Sequence, residues 1–160
     1  MRKALAAQIA DASAATSKLT DEVVRLEGRA REHVEAKLRD EAARLGLDHA
    51  VRFVDTVPKD QVARYWSLLD VSIIHLRRTE LFTTVIPSKL FECMGMGIPV
   101  LHGVAGESAD IVRKEGCGWV FEPENVDELV AGLLTLQRDR ATRDRLRAAA
   151  LAAAHHYDRG

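Results

Sequence analysis

The sequence predicts an α/β domain built on a doubly wound parallel sheet. Apolar runs of strand length recur along the second half of the chain, segments with helical spacing separate them, and glycines mark the junctions. Strands that read as near-continuous apolar runs are those buried on both faces, and the intervening helices supply the cover. In such a fold, ligands lie beyond the carboxyl ends of the strands.

Residues 1–20 are rich in Ala, Ser and Thr, with Leu5, Ile9 and Leu19 as the sizeable apolar side chains after Met1. That composition supports a helix without demanding a core, and equally fits a loosely attached leader, so residues 1–22 are set apart from a domain over 23–160. The run Val23–Leu26 reads either as a short strand ending at Gly28 or as part of one long helix. Ala30, Val34, Leu38, Ala42 and Leu45 then recur at helical spacing and stop at Gly46. VRFV (51–54) reads as a strand, QVARYWSLL (61–69) as a helix, and VSIIHL (71–76) as a strand. SKLFECMGM is a helix, IPVLHG a strand, ESADIVRKEG a helix ending in glycine, and GWVFEP a strand. NVDELVAGLLTLQ and ATRDRLRAAALAAAHHY close the chain as two helices.

Composition narrows the function. The 160 residues suffice for one domain with a real core, and 47% hydrophobic with 29% charged residues is the balance of a soluble globular protein. A formal net charge of −1 argues against a nucleic-acid partner, which needs a clustered basic surface. No apolar run approaches the roughly 18 residues of a transmembrane helix, and residues 1–13 lack the apolar stretch of a secretion signal. Cys93 and Cys117 match no CxxC or CxxH spacing, so the expected setting is cytoplasmic, with reduced thiols.

The chemistry concentrates between Phe82 and Gly103. Pro87 and Ser88 stand where a helix begins, with Ser88 as the expected N-cap. A helix N-terminus offers unpaired N–H groups and about half a positive charge, which suits an anion. Lys89 adds a full positive charge in that first turn, where an acidic residue is normally preferred; it is either answered by an anionic ligand or simply solvated. Glu92 follows one turn after Ser88 on a helix that reads as buried, and a buried carboxylate needs partners, either a ligand's hydroxyls or a nearby loop. Gly95 and Gly97 precede a strand and read as turn residues, whereas Gly103 and Gly106 follow one and precede a helix, the order of a ligand-approaching loop. His75 stands near the end of an apolar strand, facing the ligand edge, and reads as a satisfied core or rim histidine ahead of a catalytic one. His155 and His156 read as exposed helix surface. The chain carries no DxD pair, HExxH or GxSxG, so neither a metal nor a hydrolase elbow is expected.

These residues also carry a resemblance. VRFVDTVPKDQVARYWSLLDVSIIHL, then TELFTTVIPSKLFECMGMGIPVLHGVAGESADIVRKEGCGWVFEPENVDELVAGL, resembles the C-terminal half of family 4 glycosyltransferases, retaining enzymes of GT-B fold. The PSKLFE stretch is similar to that of a branch building bacterial surface polysaccharides from nucleotide-activated amino sugars. The resemblance covers residues 51–157 and implies a Rossmann-like domain binding a UDP-sugar donor, with no cofactor. By it, Glu92 holds the ribose hydroxyls, while Ser88 and Lys89 meet the diphosphate. The family's other glutamate, which addresses the donor sugar, falls on Thr84, with Glu80 able to reach back from the loop; Gly103 and Gly106 complete the sugar-side candidates. Asp55 replaces a glycine common in that strand-end turn.

The resemblance further implies an N-terminal, acceptor-binding domain that these residues do not match, nor do residues 1–22 match the family's first phosphate-clamping unit. The expectation is a truncated, inactive donor domain that joins a separate N-terminal half or self-associates, peripheral to the inner membrane in the intact enzyme. Two further readings remain: a non-catalytic nucleotide-binding or assembly module, and a fragment of a UDP-N-acetylglucosamine epimerase-like enzyme.

Overall fold

The computed structural model describes the backbone of residues 2–157, with the side chains of residues 18, 22, 23 and 25–157. It divides into two compact units, Met1–Thr56 and Val57–Gly160. The expectation that Leu5, Ile9 and Leu19 lack a core lies outside the described side chains.

The first unit is dominated by helix α1, Arg2–Arg44. Of the two readings for Val23–Leu26, the helical one is realised, and Gly28 is simply accommodated within the helix with nothing nearby for a Cβ to meet. The helix ends as the sequence signals. Gly46 takes a positive φ of 67°, Leu47 N–H donates to the Ala42 carbonyl, and Gly46 N–H donates to that of Ala43. This is the paired termination that a left-handed residue after the last turn makes possible.

Residues 51–54 correct the expected strand: they belong to no regular element. A strand needs a neighbouring edge, and this unit contains none among its described residues. The segment is held by side chains instead. The Arg39 guanidinium lies 4.5 Å from the centre of the Phe53 ring, and Arg31 donates to Thr56 Oγ1 at 3.3 Å.

The second unit is the α/β domain. A 3-10 turn, Lys59–Gln61, leads into helix α2, Val62–Trp66. Strands β1 (Ser72–His75), β2 (Val100–Gly103) and β3 (Gly118–Val120) form one parallel sheet in the order β1-β2-β3, with Ser72 opposite Val100 and Val100 opposite Gly118. Helices α3 (Glu80–Thr83) and α4 (Ser88–Gly95) connect β1 to β2, and α5 (Glu107–Glu115) connects β2 to β3. Helices α6 (Val126–Arg138) and α7 (Arg140–Tyr157) complete the unit. The four-residue α3 was not anticipated; it is too short for a periodic pattern.

Successive residues of β2 face opposite sides, and two cores follow from that. Val100 joins Ile74, Leu90, Met94, Val112, Ala150 and Ala153 in one cluster, between the sheet and α4, α5 and α7. Leu101 joins Phe121, Leu136 and Leu146 in the other, beneath α6. With helices on both faces, the doubly wound arrangement is realised, and β2 is the strand buried throughout. Cys93 and Cys117 are buried free thiols within the first cluster, and burial pushes the Cys117 thiol up to about 11.

Helix α4 ends with the same termination as α1. Gly97 has φ 62°, its N–H donates to Met94, and Ile98 N–H donates to Cys93. A Cβ on Gly97 would lie 2.9 Å from Leu151 Cγ, so this glycine also admits α7. Phe91 and Tyr157 pack at the other end with ring centres 5.2 Å apart. From Gly97 to Phe91 the chain of α4 runs backwards while α7 runs forwards from Leu151 to Tyr157, so the two helices are antiparallel here. Buried Ala150 and Ala153 let their backbones approach closely.

Candidate functional site

The carboxyl edge of the sheet gathers His75, Gly103 and Phe121. Gly103 is buried in β2, and a Cβ there would collide with the Phe121 ring and lie 3.0 Å from His75. Phe121 and His75 instead stack across it, ring centres 6.1 Å apart. The absence of a Cβ at Gly103 is what lets the two rings pack here. His75 Nε2 accepts from the backbone N–H of Glu124 at 3.1 Å, which makes it the rim histidine the sequence indicated. Arg78 pairs with Glu122 at 2.7 Å and ties the same two loops together. Asn125 caps α6, accepting from Glu128 N–H at 3.2 Å, while Glu128 accepts from Asn125 Nδ2 and from Glu122 N–H, both at 2.8 Å.

The loop candidates meet in part. Gly106, at the N-cap of α5, has φ 83°, and a Cβ there would collide with the Thr83 carbonyl. Gly106 thus abuts the end of α3, the helix that begins at Glu80 and is capped by Thr84. Glu80 and Thr84 are exposed, and the Thr84 hydroxyl donates to the Leu81 carbonyl at 3.2 Å.

Two expectations about α4 need correction. Ser88 is the first helical residue, not the N-cap; Pro87 occupies the cap with φ −62° and ψ 127°, and no side chain bonds there. Proline's fixed φ and the extended ψ place Ser88 inside the helix, leaving first-turn N–H groups without a side-chain cap. Glu92 is exposed, not buried. The buried stripe of α4 is Leu90, Cys93 and Met94, and Glu92 falls off it.

Ser88 and Glu92, one turn apart, line a groove of about 840 Å³ between α4 and the end of α7. Phe91, His155, His156 and Tyr157 also line it; Lys89 is exposed and does not. The α7 end is pinned through Glu115, which accepts from Tyr157 Oη at 3.1 Å and meets His156 Nδ1 at 3.3 Å. Sequence reasoning missed this wall. The signal was present in the alanine run that precedes His155, because such a face permits close helix packing, but nothing local names the helix it packs on.

The groove is open, carries a carboxylate and a hydroxyl from one helix turn, and has aromatic surface between them. The Glu92 carboxylate can accept hydrogen bonds there and the Ser88 hydroxyl can donate or accept them. No group of three or more His, Cys, Asp or Glu side chains could hold a metal among the described residues.

Comparison with known proteins decides the family. The profile described as "Glycosyl transferases group 1" matches residues 8–152. The chain belongs to this family. The match begins well before the stretch on which the sequence resemblance rested. Sulfoquinovosyl transferase SQD2 of Arabidopsis thaliana is 31% identical over 109 residues, covering 66% of this chain and 20% of its own length. The amylovoran biosynthesis glycosyltransferase AmsK of Erwinia amylovora is 26% identical over 109 residues, covering 68% of this chain and 27% of its own. The chain thus spans about a fifth to a quarter of the length of these relatives. The crystal structure of the C-terminal domain of the group 1 protein LpcC from Francisella tularensis superposes with a TM-score of 0.65 at 17% identity, covering 78% of this chain and 62% of that one. The α/β fold of this glycosyl transferase domain is therefore that of a GT-B C-terminal domain. No described helix is long and apolar enough to cross a membrane.

Proposed function

We propose that this chain binds the nucleotide-sugar donor of a retaining glycosyltransferase, a UDP-linked amino sugar used in cell-surface polysaccharide synthesis on the cytoplasmic side. The observation that carries the reading is the placement of Ser88 and Glu92 on consecutive turns, opening on one groove. The Glu92 carboxylate, exposed and acceptor-only, suits the hydroxyl donors of a ribose. The first-turn N–H groups of α4 and the Ser88 hydroxyl suit the diphosphate, with the Lys89 charge nearby in the same turn.

In transfer, the sugar's anomeric bond to the diphosphate breaks as an acceptor hydroxyl attacks, and negative charge grows on the departing diphosphate. Fixed N–H dipoles there, with the Lys89 cation in the same helical turn, stabilise the charge as it develops, most strongly once water is excluded. The polysaccharide role draws support from AmsK, whose name places it in amylovoran biosynthesis. In this reading the residues of this domain supply donor binding, and positioning the acceptor hydroxyl against the donor completes the reaction.

Calorimetric titration tests this. UDP should bind, and Glu92→Gln should weaken UDP while leaving inorganic diphosphate unaffected. Equal weakening of both ligands, or none, contradicts the assignment of Glu92 to ribose.

A further inference from the structure

A ribose bound at Glu92 leaves half of its hydrogen bonding unanswered. Each hydroxyl both donates and accepts, whereas an ionised carboxylate only accepts. A protein donor near Glu92 would answer it in place of water, and the facing wall is the last turn of α7.

The antiparallel pairing of the two helices fixes which residue faces which. Gly97 meets Leu151 and Phe91 meets Tyr157, so each step back along α4 matches a step forward along α7. On that register His155 lies level with Cys93, one residue's rise from Glu92, or about 1.5 Å along the axis. Glu92 and His155 are both exposed and both line the groove. The neighbouring side chains are occupied elsewhere: His156 is held against Glu115, and Tyr157 donates to the same carboxylate while packing on Phe91. These contacts hold the last turn of α7 in place and leave His155 turned to the groove.

We propose that His155 is a ligand-contact residue of this groove, donating a ring N–H to the ribose hydroxyls that Glu92 accepts from. The inference rests on the donor-binding reading above and adds to it a residue from outside the α4 motif. Glu92 and His155 together form an acceptor and donor pair that recognises a vicinal diol.

Calorimetry with UDP and 2′-deoxy-UDP tests it on wild type, His155→Ala and His155→Gln. Wild type should prefer UDP. His155→Ala should bind UDP about tenfold more weakly, the size of one net hydrogen bond, and should lose most of its preference over 2′-deoxy-UDP. His155→Gln, whose amide keeps a donor, should recover part of both. If wild type binds neither nucleotide, or binds without preference for UDP, the ribose reading itself fails and this inference with it. If wild type prefers UDP and His155→Ala keeps the whole preference, His155 has no part in it while the groove assignment stands.

Discussion

Ser108 Oγ lies 2.7 Å from Nε2 of His102, and both side chains are fully buried. His102 Nδ1 has no hydrogen-bond partner among the described residues. Burial first, and the Arg113 charge second, hold the imidazole down to about 4 from an ordinary value of 6.5. The ring is therefore neutral in the folded domain at neutral pH, wedged between the carboxyl end of β2 and the first turn of α5.

That pair makes stability depend on pH with a definite sign. The unfolded chain takes up a proton on His102 below about 6.5, while the folded one resists until about 4. Stability contributed by the neutral ring is whole above the upper value and is lost as pH falls through this window. The full loss is about 3 kcal/mol. Denaturant unfolding should show it, and the double variant His102→Leu/Ser108→Ala should lack that part of the slope. Parallel slopes for the two proteins would contradict the linkage.

Two glycines should respond oppositely to the same change. Gly106→Ala places a Cβ against the Thr83 carbonyl at a φ of 83°, and should cost about 2–3 kcal/mol or more. Gly95 is helical with open space around its Cβ position, so Gly95→Ala should stabilise by about 0.5–1 kcal/mol. Thermal unfolding of both variants checks the contrast.

The pin on α7 can be loosened one atom at a time. Tyr157→Phe removes the hydroxyl that donates to Glu115 at 3.1 Å but keeps the ring on Phe91. It should cost about 1 kcal/mol. Amide hydrogen exchange should quicken at the end of α7 and not in β2. Uniform quickening would show that the contact supports the whole unit rather than that turn.

What the sequence made legible, and what it hid, divides along physical lines. The strands over 72–75, 100–103 and 118–120 announced themselves as apolar runs, although only β2 is buried on both faces while Ile73 of β1 and Trp119 of β3 stay exposed, and Gly46 and Gly97 marked helix ends because only glycine takes their backbone cheaply. VRFV carried the same apolar signal, yet strand formation also requires a partner edge, which no local pattern reports. Ser88 was misplaced by one position because Pro87 can itself occupy the cap. Glu92 was expected to be buried because its neighbours are apolar, although a helix of eight residues, about two turns, has room for one exposed face between them. His155 was invisible as a site residue for a different reason. Its role depends on the register of α7 against α4, a relationship set by Gly97, Leu151 and Tyr157 far apart in the chain.

The proposed function requires a nucleotide to occupy the groove between α4 and the end of α7. Amide chemical-shift mapping during a titration with UDP would detect it. Saturable shifts should concentrate at Ser88, Lys89 and Glu92 on α4 and at His155 and His156 on α7, with the first unit unperturbed. Shifts confined to Ala30, Val34, Leu38, Phe53 and Val54, which line a separate groove of about 430 Å³ in the first unit, or no saturable shift at all, would contradict it.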